Sequence, residues 1–295
     1  MEFSKSVFYL IKLRRSIRSY DKAEIRPEDK KKIIEFIKKD HKTIFGSKLR
    51  FEFIDASGLN PDDLKNLGTY GFISGAKYFI VGAVIKDSKS EKNYYLIDYG
   101  YVFEKIILFL TDLNLGTCWL GGTFNKKGFS KKMLLKKDEV IPAISPTGII
   151  LNKKVLKDSI IKKVAGSNYR KAWDKLFFKD SFSNPLSRVD SKSYKEPLEM
   201  VRLSPSASNL QPWRIIKEKD KDIFHFFIQR SRYYKKSLGR VDLQFIDMGI
   251  ALRHFDISSA ELNLGGKWKL SNSILNLKNN GFPPNVEYLV SWIGS

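Results

Sequence analysis

One pattern constrains the fold of this 295-residue chain more than any other, because it occurs twice. Asp98-Tyr-Gly100, an apolar stretch and Asn114-Leu115-Gly116-x-x-Trp119 return as Asp247-Met-Gly249, an amphipathic stretch and Asn263-Leu264-Gly265-x-x-Trp268, with every matched position displaced by 149 residues. Six identities at one offset of half the chain exceed what two glycine-terminated helices share by chance, so two copies of one unit are expected. Each copy reads as a buried helix, with Tyr101, Ile106, Phe109 and Leu113 in the first and Ile250, Leu252, Phe255 and Leu262 in the second at roughly helical spacings. Gly116 and Gly265 then fall where a helix C-cap calls for a left-handed residue.

Around these helices the patterning predicts further helices over 6–13, 27–39 and 197–203, with the repeat helices spanning 92–113 and 243–262. Strands are expected at 50–54, 78–84, 143–151, 213–217, 223–229 and 286–292. The result is an α+β layout, made twice. Residues 179–195, rich in Ser, Asp, Asn and Pro and without apolar period, read as a linker between a first half at 1–178 and a second at 196–295. The aromatic-rich segment 154–178 is expected to wrap back onto the first half.

Composition narrows the class. One cysteine, Cys118, forms no internal disulfide, and His41, His225 and His254 are scattered, so neither a disulfide scaffold nor a zinc module is expected. Cys118 has no base nearby in sequence and reads as core filler. The longest apolar runs, such as 78–85, fall well short of the ~18 residues of a membrane span. Without a signal-peptide pattern at Met1, a cytoplasmic protein is expected. The net charge of +21, from 53 Lys and Arg against 32 Asp and Glu, admits nucleic acid, anionic membrane or phosphorylated small molecules. The excess is mostly lysine, scattered at 30–32, 131–137, 153–163 and 217–221, which describes a solvated surface rather than one binding stripe. No helix-turn-helix, zinc-finger or RNA-recognition signature accompanies the exposed-looking aromatics Tyr233, Tyr234 and Trp268, so a basic nucleic-acid-binding protein is the lesser alternative.

Three segments carry possible anion chemistry. Arg14-Arg15-Ser16-Ile17-Arg18 sets three guanidiniums and a hydroxyl at a helix end, suited to phosphate, although a basic end capping the helix dipole has the same look. Pro205-Ser206-Ala207-Ser208-Asn209-Leu210-Gln211-Pro212-Trp213 offers small donors and acceptors ahead of a strand, as a binding loop or a capped turn. Trp119-Leu120-Gly121-Gly122 would let backbone N–H groups approach a planar ligand, or simply cap a helix beside a buried Trp.

Taken together, the Arg-Arg-Ser-x-Arg start, the Pro-Ser-x-x-Asn-x-Gln-Pro-Trp loop and the long helix ending in Leu-Gly-x-x-Trp-x-Gly resemble the FMN-dependent nitroreductase family. The resemblance implies a nitroreductase-like α+β fold. Ordinary members are dimers of chains about half this length, so here two tandem half-domains would form a pseudo-dimer within one chain. The arginine motif has no copy 149 residues later, where 163–167 read KVAGS, and the Ser/Asn loop has none 149 residues earlier; Lys269-Leu270 replace the Gly-Gly. One complete FMN site per chain is therefore implied, with a degenerate partner. By that resemblance Arg14, Arg15, Ser16 and Arg18 hold the flavin phosphate and ring edge, with Arg170 and Lys171 as a second cluster. Pro205, Ser206, Ala207 and Asn209 contact ribityl chain and ring, and Trp119, Leu120, Gly121 and Gly122 line the ring. The implied reaction is a two-step exchange in which NADH or NADPH reduces the flavin and a nitroaromatic, quinone or similar small molecule reoxidises it. No protein nucleophile and no metal are required. A non-catalytic flavin sensor or storage protein is the other alternative, and a monomer is expected because the duplication supplies the interface.

Overall fold

The computed structural model describes residues 2–59, 67–69, 71–86, 92–151, 169–231, 241–270 and 283–295; Tyr233, Tyr234, the lysines at 153–163 and the KVAGS stretch lie outside them. Among the described residues the helices are α1 (Val7–Leu13), α2 (Pro27–Ile37), α3 (Tyr94–Asp112), α4 (Lys126–Lys132), α5 (Lys195–Leu203) and α6 (Leu243–Glu261). Local chemistry accounts for their limits. Pro27 opens α2 where its missing N–H is no loss, and Glu28 and Asp29 follow at the positive end of the dipole. Among the described residues no helix is long and apolar enough to cross a membrane.

The first half carries a five-stranded antiparallel sheet of β1 (Leu49–Asp55), β2 (Tyr78–Ile85), β5 (Ile144–Gly148) and β3 (Gly116–Thr117) in that order, with β4 (Glu139–Val140) pairing β2. β2 is almost wholly buried because the sheet covers one of its faces with helix and the other with a second apolar cluster around Phe79, Val81 and Phe129. The second half carries six strands in the order β10 (Gly266–Lys269), β11 (Val286–Gly294), β9 (Ile223–Gln229), β8 (Trp213–Lys217), β6 (Phe177–Lys179) and β7 (Ser181–Pro185). The start of the stretch expected as a linker, Lys179 and Ser181–Pro185, is therefore part of this sheet, and so are Phe177 and Phe178, which join the second sheet rather than wrapping onto the first half. Phe177–Lys179 runs parallel to Ile215–Lys217, and Ser181–Pro185 folds back along it. Its Ser, Asn and Pro content argues against strand locally, but pairing with β8 overrides propensity.

The repeat helices α3 and α6 form the centre, packed on each other, with α3 against β2 and α6 against β9. Both are buried on nearly every side, and one continuous apolar core runs from Ile25 through both helices to Trp292. Their crossing explains the repeated glycines. A methyl group on Gly100 would strike the Ile246 carbonyl oxygen, and one on Gly249 would strike the Ile97 carbonyl oxygen. The two clashes are related by the same 149-residue shift, so each helix offers the other an identical face, as subunits do across a two-fold axis.

The helix ends repeat as well. Leu115 N–H donates to Leu110 O at 2.9 Å and Leu264 N–H to Ser259 O at 2.9 Å, which closes a Schellman turn in each half. The left-handed residues in these turns are Asn114 (φ 61°) and Asn263 (φ 56°), not Gly116 and Gly265. Gly116 is needed instead for closeness, since a Cβ there would press on Ile17.

Candidate functional site

A cavity of about 470 Å³ opens where the halves meet, within the ~300–1,000 Å³ usual for small-molecule sites. One wall is the segment after α1. Arg14, Arg15, Ser16 and Arg18 line the cavity there, held in register by Ile17 N–H, which donates to Thr117 O of β3 at 2.8 Å. Trp119, Gly121 and Ala143 continue this wall, where Gly121 packs closely against the end of the Leu243 side chain. The floor is one stripe of α6, formed by Leu243, Ile246, Asp247 and Ile250. Arg170 and the loop from Pro205 to Asn209 close the far side.

That loop is strained and tightly held. Ser208, Asn209 and Gln211 all adopt left-handed backbone, with φ of 50°, 54° and 49°, a conformation that costs L-residues roughly 1–2 kcal/mol each and less for Asn. Side chains fix it in place. Ser206 Oγ accepts from Gln211 N–H at 2.9 Å, and Asp247 Oδ1 accepts from Ala207 N–H at 2.9 Å. The buried Gln211 accepts from Lys171 N–H at 2.8 Å through Oε1. Asn209 donates to Tyr169 O at 2.8 Å and accepts from Arg170 Nη1 at 3.0 Å, so the loop positions the arginine. Strain held by this many bonds is typical of ligand clamps.

The charge is lopsided. Four guanidiniums line the cavity against one carboxyl, Asp247, and burial pushes that carboxyl well above the usual carboxylate range. Burial, then repulsion from Arg14 and Arg202, brings Arg170 down to about 10. Burial with Arg214 nearby brings Lys171 down to about 8. Arg14 Nη1 and Asp247 Oδ2 are buried without a hydrogen-bond partner among the described residues. A polar cavity with crowded cations and unused polar atoms suits an anionic ligand that also presents ring or chain polar groups.

Of the residues singled out from sequence, Arg14, Arg15, Ser16, Arg18, Trp119, Gly121, Arg170, Pro205, Ser206, Ala207 and Asn209 line this one cavity. Leu120 and Gly122 do not. Leu120 exchanges both backbone bonds with Ile144 at 2.9 Å and buries its side chain in the apolar cluster below the sheet, so its N–H is not free to face a ring. Sequence reasoning missed Ala143, Ser208 and the α6 stripe. The stripe had a signal, since 243, 246, 247 and 250 follow the i, i+3, i+4, i+7 spacing of one helix face.

Fold and cavity together define a two-half α+β protein with an arginine-rich cavity between its halves. The family model described as "Putative TM nitroreductase" matches residues 6–259, and the chain belongs to that nitroreductase family, a family of oxidoreductases. The solved "putative nitroreductase" of Thermotoga maritima is 18% identical over 98% of this chain and 94% of its own, with a TM-score of 0.60, and so shares the whole two-half fold. A nitroreductase family protein from Clostridium novyi NT is 23% identical over 52% of this chain and 91% of its own, with a TM-score of 0.41. A Bacteroides fragilis nitroreductase solved with bound FMN is 15% identical over 52% and 92%, with a TM-score of 0.40. No curated protein matches the chain.

Proposed function

We propose that the chain is an FMN-dependent oxidoreductase that accepts electrons from NADH or NADPH and passes them to a nitroaromatic, quinone or similar small acceptor, with one FMN held between its halves. The observation that carries this reading is the convergence of Arg14, Arg15, Arg18 and Arg170 with the strained 205–209 loop on one cavity, where Arg14 Nη1 is buried and unused. The donor set fits the cofactor. Guanidiniums and Ser16 suit its phosphate and polar ring edge, Ser206 and Asn209 suit a polyol chain, and Leu243, Ile246 and Ile250 give an aromatic ring an apolar floor. Bound FMN supplies the two-electron exchange, and the chain supplies position and field. The arginines favour negative charge in the cavity, and the α6 stripe keeps water from one face of whatever lies on it. Since both walls come from one chain, a monomer suffices. On α3, in the first half, tyrosines at 94 and 101 occupy the equivalent stripe, so we take one site per chain.

The test is the visible spectrum of the purified protein, FMN released by heat and counted, and anaerobic addition of NADH or NADPH. Flavin bands, about one FMN per chain and bleaching by the nicotinamide are expected. Bound FMN that neither nucleotide bleaches overturns the reductase. A colourless protein that takes up no added FMN overturns the whole reading.

A further inference from the structure

Arg14 and Trp119 belong to different parts of the cavity wall, yet both lead back to one side chain that does not line the cavity. Glu104 of α3 is fully buried. Its Oε2 accepts from Trp119 Nε1–H at 2.8 Å, and its Oε1 lies 4.0 Å from Arg14 Nε, an ion pair too long to be a hydrogen bond. The same Oε1 sits 2.9 Å from Nε2 of His254, which comes from α6 in the other half. His254 Nδ1 is 2.9 Å from Ser204 Oγ, at the root of the 205–209 loop. Glu104, His254 and Ser204 are all fully buried, so one polar chain joins both walls of the cavity beneath it.

The duplication shows that folding does not call for this acid. Shifted by 149 residues, position 104 becomes Arg253 and Trp119 becomes Trp268, on the side opposite the cavity. There the same helix crossing is made with a cation in the acid's place. A buried carboxylate costs several kcal/mol unless it is paired, so one kept only on the side with the cavity points to the cavity.

We propose that Glu104 is a positioning residue of the flavin site: it holds Arg14 and Trp119 in the wall, ties that wall through His254 to the loop of the other half, and sets the cofactor's reduction potential by offsetting part of the arginine field. The inference rests on the FMN reading. Reduction adds negative charge to the cofactor, the arginines favour it, and a carboxylate against Arg14 weakens that preference.

The experiment compares FMN-loaded wild type, Glu104→Gln and Glu104→Asp by dissociation constant for oxidised FMN and by midpoint potential against reference dyes. Glu104→Gln is expected to raise the preference for reduced over oxidised FMN about tenfold, which is about 30 mV upward for a two-electron couple, and Glu104→Asp is expected to restore the wild-type potential. In an Arg14→Gln background the Glu104→Gln shift is expected to shrink. Loaded Glu104→Gln with an unmoved or lowered potential overturns the inference and leaves the FMN reading intact, whereas wild type that takes up no FMN overturns both. If Glu104→Gln does not fold, Glu104→Asp decides: withdrawn by one methylene, it is expected to keep the potential but bind FMN more weakly, and wild-type affinity there overturns the positioning role.

Discussion

The two sides of the α3/α6 pair share a backbone and differ in what fills it. On the cavity side the floor is Leu243, Ile246, Asp247 and Ile250, faced by Gly121. The same positions on the other side, shifted by 149 residues, are Tyr94, Ile97, Asp98 and Tyr101, and the position of Gly121 becomes Leu270. Two aliphatic side chains have become tyrosines and a glycine has become leucine. Tyr94 stacks on Phe45 with ring centroids 4.1 Å apart, and the Arg253 guanidinium lies 3.4 Å above the Tyr101 ring, whose hydroxyl donates to Asp256. The aspartates diverge in use. Asp98 takes amides from Ile44, Phe45 and Ser47 on both oxygens, whereas Asp247 takes only Ala207 and keeps Oδ2 unused. What the copies retain is packing, in the glycine crossing and the helix ends. What differs between them is the lining of the cavity, so the shared packing and the cavity lining sit on different residues of the same two helices.

The sharpest way to break this comparison is to write one side onto the other. Leu243→Tyr with Ile250→Tyr should fill the cavity floor and weaken FMN binding by on the order of a hundredfold or more, because the rings occupy space the ligand needs. The melting temperature should hold within a few degrees, since the added volume enters a cavity of about 470 Å³ rather than a packed core. Fluorescence titration with FMN and a thermal melt check both. Binding within tenfold of wild type would mean that filling is not what distinguishes the sides.

The crossing itself should respond symmetrically. Gly100→Ala and Gly249→Ala each drive a methyl into a backbone carbonyl that a rotamer change does not relieve, and each should cost about 3 kcal/mol of stability, at the upper end of overpacking. Urea denaturation of both variants tests the two-fold relation. A large difference between them would show that the copies no longer offer each other the same face.

A smaller effect is expected at the loop. Asn209→Ala removes one of the acceptors of Arg170 and a donor to Tyr169 O, and should weaken FMN by about tenfold, in line with ~1.5 kcal/mol for a bond to a charged group. An unchanged dissociation constant would place the loop outside the binding site.

Much of this was legible because it is local. Arg14 to Arg18 and Pro205 to Asn209 announce themselves by residue type within a few positions, and the repeat announces itself by identity at one offset. The rest depends on partners far along the chain. Glu104 looks like one more polar residue of a long helix until His254, 150 positions on, is set against it. Leu120 shares a motif with Trp119 and Gly121 but alternates to the other face of the sheet, which motif spacing alone does not reveal. Residues 179–185 lack any strand pattern and become strand by pairing with β8 and with each other.

The filled side should also be the acid-sensitive one, and this is the smallest effect. His41 is held down to about 4, chiefly by burial and further by the positive charges of Lys105 and Arg253. Unfolded, it titrates near ~6.5. A base whose folded value is depressed leaves stability untouched above its unfolded value. As pH falls from about 6.5 towards 4 the unfolded chain takes up a proton that the folded one refuses, so stability drops across that window. Discounted for partial exposure, the loss should be about 1 kcal/mol. His225 is also buried and depressed, so wild type alone does not isolate the effect. The difference between wild type and His41→Gln does, in urea midpoints at pH 7 and pH 4.5. The variant should keep more of its neutral-pH stability in acid, while a parallel fall in both proteins would remove His41 from the cationic cluster that closes this side.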